Sequence, residues 1–351
     1  MRHVRIHSRW HCRAGATWLD VLVFGGLVAV FILGLGVWAL QPTHRESNHH
    51  PRCKNDLKQW GLALHNYHDT FKCFPPYAGG TTENGERLSG AAMLLPFLEM
   101  DPLWQQIATA PGQGGDPMNL ALSLKPSGEF EVFLCPQATI PPQVDGQQHS
   151  SYAFNVGDQI DFGTGVEDFP IQEKTRGPFG WRHCRSVREF LDGTSNTILM
   201  AERDLGSPTN PRDILGRVAS VVATSPADCS ALASSGNYGS SVSVLRELMG
   251  ERWSSGHPFY SVIMTALPPN GPSCAASAPP SGKSVGGWFT VSSRHTGGCH
   301  VLIGDGTVRF INENINTGVL TANEPASGGQ SSYGIWGAIG TLDSGEIVSD
   351  F

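Results

Sequence analysis

The sequence predicts an α+β protein: a long N-terminal transmembrane and amphipathic helix followed by a mostly antiparallel, β-rich globular domain. Three observations carry this expectation. Residues 21–40 read VLVFGGLVAVFILGLGVWAL, twenty positions without a charge. From Arg52 to Phe71, the residues Leu57, Trp60, Leu64, Tyr67 or His68, and Phe71 recur at helical spacing. Beyond them the 351-residue chain breaks into short apolar runs, with 42 glycines and 24 prolines scattered without a repeat period.

The first element is a basic leader. Arg2, Arg5, Arg9 and Arg13 are its only charged residues. The apolar run that follows is about 30 Å long as a helix, the thickness of a bilayer core. Positive charge before it and an acidic body after it imply a single pass through the inner (cytoplasmic) membrane, with the N-terminus cytoplasmic and the bulk extracytoplasmic. The expected organisation is a leader over 1–15, a transmembrane helix over 16–40, a juxtamembrane linker and amphipathic helix over 41–74, and an extracytoplasmic β-rich domain over 75–351. Three fates stay open for the span: a secretory signal cut after Val37-Trp38-Ala39, an uncleaved anchor, or a processed leader of another kind.

Pro42 and Pro51 bound a polar break, with His44, His49 and His50 read as a solvated stretch, and Pro75-Pro76 ends the amphipathic helix. A second short helix is predicted near residues 91–107. Strands are expected at 130–134, 151–155, 197–201, 218–223, 260–266, 288–291, 301–303 and 307–311. The clearest element is the hairpin over 300–311, where Gly304-Asp305-Gly306 separates two apolar, β-branched runs. Residues 203–257 show no pattern, and 268–286 and 322–332 read as loops.

Charged residues make up 16% of the chain, below the roughly 25% usual in soluble proteins. Net charge is −7, so without the leader's four arginines the body stands near −11. An acidic body disfavours broad nucleic-acid binding, and no nucleic-acid partner is expected.

The strings CKNDLKQ (53–59), GLALHNYHD (61–69), LPFLE (95–99), FLCP (133–136), SYAFN (151–155), DGTSNT (192–197), LPPNGPSC (267–274), RHTGG (294–298) and DGTVRFI (305–311), taken in this order, resemble a planctomycete-type pilin-like family of unknown function. That family pairs a prepilin-type cleavage and methylation motif with a C-terminal H-x(9)-D-G element, and is sometimes labelled solute-binding. The string Arg13–Asp20 (RAGATWLD) is similar to a prepilin processing site. By that resemblance cleavage follows Gly15, Ala16 becomes the N-terminus, and Asp20 stands for the acid at the fifth mature position. Cys53–Gln59 (CKNDLKQ) with Gly61–Asp69 (GLALHNYHD) is close to the family's most characteristic string. Phe133–Pro136 (FLCP), Ser151–Asn155 (SYAFN), Asp192–Thr197 (DGTSNT) and Leu267–Cys274 (LPPNGPSC) follow. At the end, Arg294–Gly298 (RHTGG) leads to Asp305–Ile311 (DGTVRFI), with nine residues between His295 and Asp305. The resemblance implies a pseudopilin-like long helix carrying an exported β-rich domain.

Eight cysteines are present. Cys12 belongs to the leader, leaving seven for an oxidising compartment. The resemblance implies Cys53–Cys135 and Cys229–Cys274 as disulfides, after which Cys73, Cys184 and Cys299 leave one thiol over. No C-x-x-C motif suggests zinc or redox chemistry. His65, His68 and Asp69 share one helix face at a spacing that could hold a metal, but no further ligand can be placed nearby from sequence, so His65 and His68 read as residues packing the helix on the sheet. His295, Asp305 and Gly306 read as parts of the hairpin, Asp305 serving its turn, because no G-x-S-x-G elbow accompanies them.

The functional expectation is therefore a non-enzymatic, pilin-like, membrane-anchored surface or secretion-associated structural protein, without cofactor, metal or catalytic residues. Its partners would be the membrane, sister pilin-like subunits and a prepilin peptidase. The alternative is an extracytoplasmic solute-, glycan- or ion-binding protein.

Overall fold

The computed structural model describes Trp18 and residues 49–80, 88–109, 130–142, 148–159, 175–221, 223–275, 286–322, 328–346, 348 and 351. The chain divides into Met1–Ser47 and Asn48–Phe351. Two expectations need correction. No helix among the described residues is long and apolar enough to cross a membrane, which overturns the single-pass inner-membrane assignment. The predicted span over 21–40, and with it Gly15, Ala16 and Asp20, lies outside the described residues. The pseudopilin-like long helix is corrected too. The first full helix, α1 (His49–Phe71), has 23 residues, and the other helices among those described have nine or fewer. Helix α1 is amphipathic: Leu57, Trp60 and Leu64 are fully buried while Arg52, Lys54 and Lys58 face solvent.

The central sheet holds β1 (Tyr152–Asn155), β2 (Ile198–Glu202), β3 (Val262–Ile263), β4 (Gly298–Ile303) and β5 (Val308–Asn312), in the order β5-β4-β2-β1-β3. Its pairs are antiparallel except β1 with β3. A three-stranded sheet pairs Ser273–Ala275 antiparallel with Gly287–Trp288 and parallel with Val218–Ser220. Both larger sheets are thus mixed, a third correction, this one to the expected antiparallel domain. Parallel pairs need long connections, and the patternless segment 203–257 supplies one.

Strands β1, β2 and β4 are buried at every residue, because both faces of the sheet are covered. Phe154, Met200 and Leu302 belong to the core that includes Leu57 and Trp60 of α1. Ala153, Ala201, Val301 and Ile303 face Trp336 and Ile339 near the C-terminus. Residues 130–134, read as a strand, instead contain a 3-10 turn at Glu131–Phe133. The carbonyls there are used one at a time: the Trp60 indole donates to Val132 O at 3.0 Å and the Ser151 amide to Phe133 O at 2.8 Å, so no ladder forms. The start of the segment read as strand 260–266 is likewise a helical turn, Pro258–Ser261, capped by His257.

Two disulfides hold these parts together, Cys53–Cys135 and Cys229–Cys274. Cys73, Cys184 and Cys299 are free thiols.

Candidate metal centre

Strand register creates the site. Val301 pairs with Ala201, and one step along the antiparallel ladder His300 stands opposite Glu202. Side chains alternate faces, so both share the α1 side with Leu302 and Met200. Glu202 closes the otherwise apolar strand ILMAE and is 1% exposed. A buried carboxylate needs compensating donors, and it has three. Oε1 accepts from His295 Nε2 at 3.0 Å and His300 Nδ1 at 3.1 Å, while Oε2 accepts the His300 backbone N–H at 2.6 Å. Burial pushes the Glu202 carboxyl up, but the hydrogen bonds and charge of the two histidines outweigh it, leaving the group below the usual glutamate range.

His295 reaches Glu202 from the loop before β4. The Ser293 hydroxyl donates to Gly298 O at 2.7 Å and accepts the His295 amide at 3.1 Å. Gly298 is required there, since a Cβ would lie 2.0 Å from Ile311 O on β5. Arg294 anchors the loop by ion pairs to Asp204 at 2.7 Å and Asp213 at 2.5 Å. Burial raises the Asp204 pKa, only partly offset by this arginine. An open cleft of about 700 Å³ runs alongside, lined by Asn270, Arg294, His295 and Glu313 among others.

The third imidazole comes from α1. The His50 ring lies 4.1 Å from that of His295, 5.3 Å from that of His300 and 5.6 Å from Phe310, centroid to centroid. One ligand nitrogen from each of His50, His295 and His300 lies within 4.8 Å of the others. The Cys53–Cys135 bridge, one turn into α1, borders the group, with Cys135 Sγ 3.6 Å from His295 Nε2. When both rings are neutral, His295 Nε2–H and His300 Nδ1–H donate to Glu202. The remaining nitrogens, His295 Nδ1 and His300 Nε2, are then bare lone pairs. His295 Nδ1 has no hydrogen-bond partner among the described residues. A carboxylate that orients histidines through their distal N–H groups is the usual support of a metal site. Three imidazoles suit Zn²⁺ or another late transition ion and leave a coordination position open.

Asp56, a turn and a half after His50 on α1, accepts from the Tyr152 hydroxyl at 3.2 Å. Burial lifts its pKa from 3.8 to about 6, against the lowering effects of Tyr152 and Arg52. A raised carboxyl favours the fold below its unfolded value of 3.8, and that contribution is lost as pH rises through about 6. Asp56→Asn is therefore expected to raise the melting temperature at pH 7.5, by roughly 2–4 °C per kcal/mol recovered. The gain should shrink on acidification and vanish below about pH 4. A gain independent of pH across this range would refute the assignment.

Of the residues singled out in sequence, His295 joins this cluster, while His65, His68, Asp69, Asp305 and Gly306 lie away from it. His65 packs edge-on against Phe74 at 5.7 Å, and His68 Nε2 accepts the Val187 amide at 3.3 Å while its ring lies 5.0 Å from that of Phe74. His65 and His68 thus form packing and hydrogen-bonding contacts, while Asp69 is exposed and its Oδ1 lies 3.9 Å from His68 Nδ1. Asp305 Oδ1 accepts from the Thr307 amide at 2.9 Å and hydroxyl at 2.7 Å, and Gly306 sits at φ 84°, which is turn chemistry. His295 and Asp305 lie at opposite ends of β4: the histidine serves Glu202, not the hairpin tip. His50, read as solvated, is half-buried against two histidines. Glu202 was not singled out at all. The available signal was a carboxylate ending a continuous apolar strand.

No curated protein and no solved structure matches the chain. A family model does match, over residues 45–318, more than half of the chain and inclusive of Glu202 and all three histidines. It starts downstream of Gly15, Ala16 and Asp20. The chain belongs to this family, SBP_bac_10, described as a protein of unknown function (DUF1559).

Proposed function

We propose that the protein is a non-enzymatic binding protein of an oxidising, extracytoplasmic compartment, and that its ligand is a divalent transition-metal ion held by His50, His295 and His300. The observation that carries this reading is the buried Glu202 carboxylate, which fixes two imidazoles while a third converges on them. The two disulfides support the compartment. The reading falls under the binding label attached to the family and names the class of ligand.

The test is titration of the chelator-treated full chain with Zn²⁺, followed by calorimetry and thermal melting. One site is expected, with stabilisation of about 2.7 kcal/mol at a hundredfold excess over Kd. His50→Ala and His300→Ala should each abolish the metal-induced rise in a domain that still melts cooperatively. His65→Ala should leave it intact. Zinc binding indifferent to His50 and His300 would reduce the cluster to a structural ion network.

The Arg13–Asp20 string favours a second, compatible reading, in which a prepilin peptidase cleaves after Gly15 and the product associates with sister pilin-like subunits. N-terminal mass analysis of the protein from its host decides it. A chain starting at Ala16 supports processing, and one starting at Met1 removes it.

A further inference from the structure

Of the three free thiols among the described residues, Cys73, Cys184 and Cys299, at most two can pair, and the fold indicates which. Cys299 is the isolated one. It is fully buried in β4, donates to Asn270 Oδ1 at 3.4 Å, and burial holds its thiol well above the usual range. Cys73 and Cys184 stand in a different situation. Lys72, in the left-handed region at φ 65°, ends α1 with its amide on His68 O at 2.7 Å, and turns the chain back across the segment 184–187. Phe74 and Arg185 then form an antiparallel bridge, the Phe74 amide donating to Arg185 O at 2.7 Å. The Val187 amide closes the same junction on His68 Nε2 at 3.3 Å. The residues just before this bridged pair on either segment are Cys73 and Cys184, close enough that the Cys73 thiol raises the pKa of Cys184. Cys184 is exposed and Cys73 half-buried, so the pair can be reached from solvent.

We propose that Cys73 and Cys184 form a third disulfide in the mature protein. It would staple the C-terminal end of α1 to the 184–187 segment as Cys53–Cys135 staples its N-terminal part. The helix that presents His50 would then be held covalently near both ends. This proposal is independent of the metal reading.

The reaction is thiol–disulfide exchange with a disulfide oxidant, RSSR, of the compartment. One cysteine thiolate attacks a sulfur of RSSR, forms a mixed disulfide and expels RS⁻. The second thiolate attacks the cysteine sulfur of that mixed disulfide and expels the other RS⁻. Two S–H bonds and one S–S bond are lost, one protein S–S bond and two RSH are gained, and the oxidant is reduced by two electrons. Although Cys184 is exposed as a residue, partial desolvation of its sulfur and the neighbouring Cys73 push the thiol up to about 12, so the uncatalysed exchange is slow and is expected to need an oxidoreductase.

Peptide mapping tests this directly. The full chain, purified from an oxidising compartment, is alkylated without reduction and cut with trypsin. Cleavage after Lys72, Arg87, Arg182 and Arg185 isolates Cys73–Arg87 and His183–Arg185. The expected product is these two peptides linked to each other, with Cys299 alkylated only after denaturation. Recovery of both peptides separately alkylated, or of either linked to Cys299, would overturn the proposal. In Cys184→Ser the expected result is an alkylatable Cys73, a lowered melting temperature, and unchanged Cys53–Cys135 and Cys229–Cys274 links. An unmodified Cys73 thiol in the wild type alongside the same melting temperature in the variant would also overturn it.

Discussion

Replacing Glu202 by alanine is expected to destabilise the folded domain by about 3–5 kcal/mol, the usual cost of removing one partner from a buried charged network. The substitution strands His295 Nε2–H, His300 Nδ1–H and the His300 amide in a place water does not reach. It also leaves a cavity in the face that α1 covers. Glu202→Gln keeps the shape and one acceptor oxygen, so its stability loss should be nearer 1–3 kcal/mol. Zinc affinity in that variant should still fall about 10–100-fold, as it does when the group behind a metal-bound histidine is altered. Urea unfolding with and without Zn²⁺ separates the two effects. A Glu202→Ala domain within 1 kcal/mol of wild type would show that the network is not what holds this corner of the sheet.

Removing the Cys53–Cys135 bridge as the double alanine variant should cost about 2–4 kcal/mol. The cross-link spans 82 residues, for which chain entropy sets an upper figure near 4.5 kcal/mol. The Cys229–Cys274 bridge spans 45 residues and should cost a similar amount, because loop entropy grows only logarithmically. The two variants are distinguished by metal. Cys53 lies one turn after His50, so freeing it loosens the helix that supplies the third imidazole. The zinc-induced rise in melting temperature should therefore shrink in the Cys53/Cys135 variant and persist in the Cys229/Cys274 variant. Equal zinc responses in both would mean that α1 is held by packing alone.

Much of the sheet was legible because its signals are local. The hairpin over 300–311 announced itself by Gly304-Asp305-Gly306 between two apolar runs, and strands β1 and β2 by continuous apolar stretches. The disulfide pairs were legible only through the family resemblance, since spacing alone permits many pairings. Residues 203–257 were illegible for a physical reason. They are held by isolated long-range bonds, not by a periodic face: Arg212 donates to the carbonyls of Gly239, Ser240 and Val242, and the Tyr238 hydroxyl donates to Ser273 O. No periodicity encodes such contacts. The single-pass expectation is corrected by the described residues, none of whose helices is long and apolar enough to cross a membrane, while α1 is the amphipathic helix that the spacing of Leu57, Trp60 and Leu64 predicts.

By itself the sequence determined the family, the amphipathic α1 and the β-hairpin. These follow from residue type and short-range spacing, which act within a few residues of chain. Only the tertiary structure decided the chemistry. Glu202, His295 and His300 meet because one ladder step places position 300 opposite 202, and His50 joins them because α1 covers that face of the sheet. Register and helix docking are set by the whole core at once, so no local pattern around any of the four residues reports it.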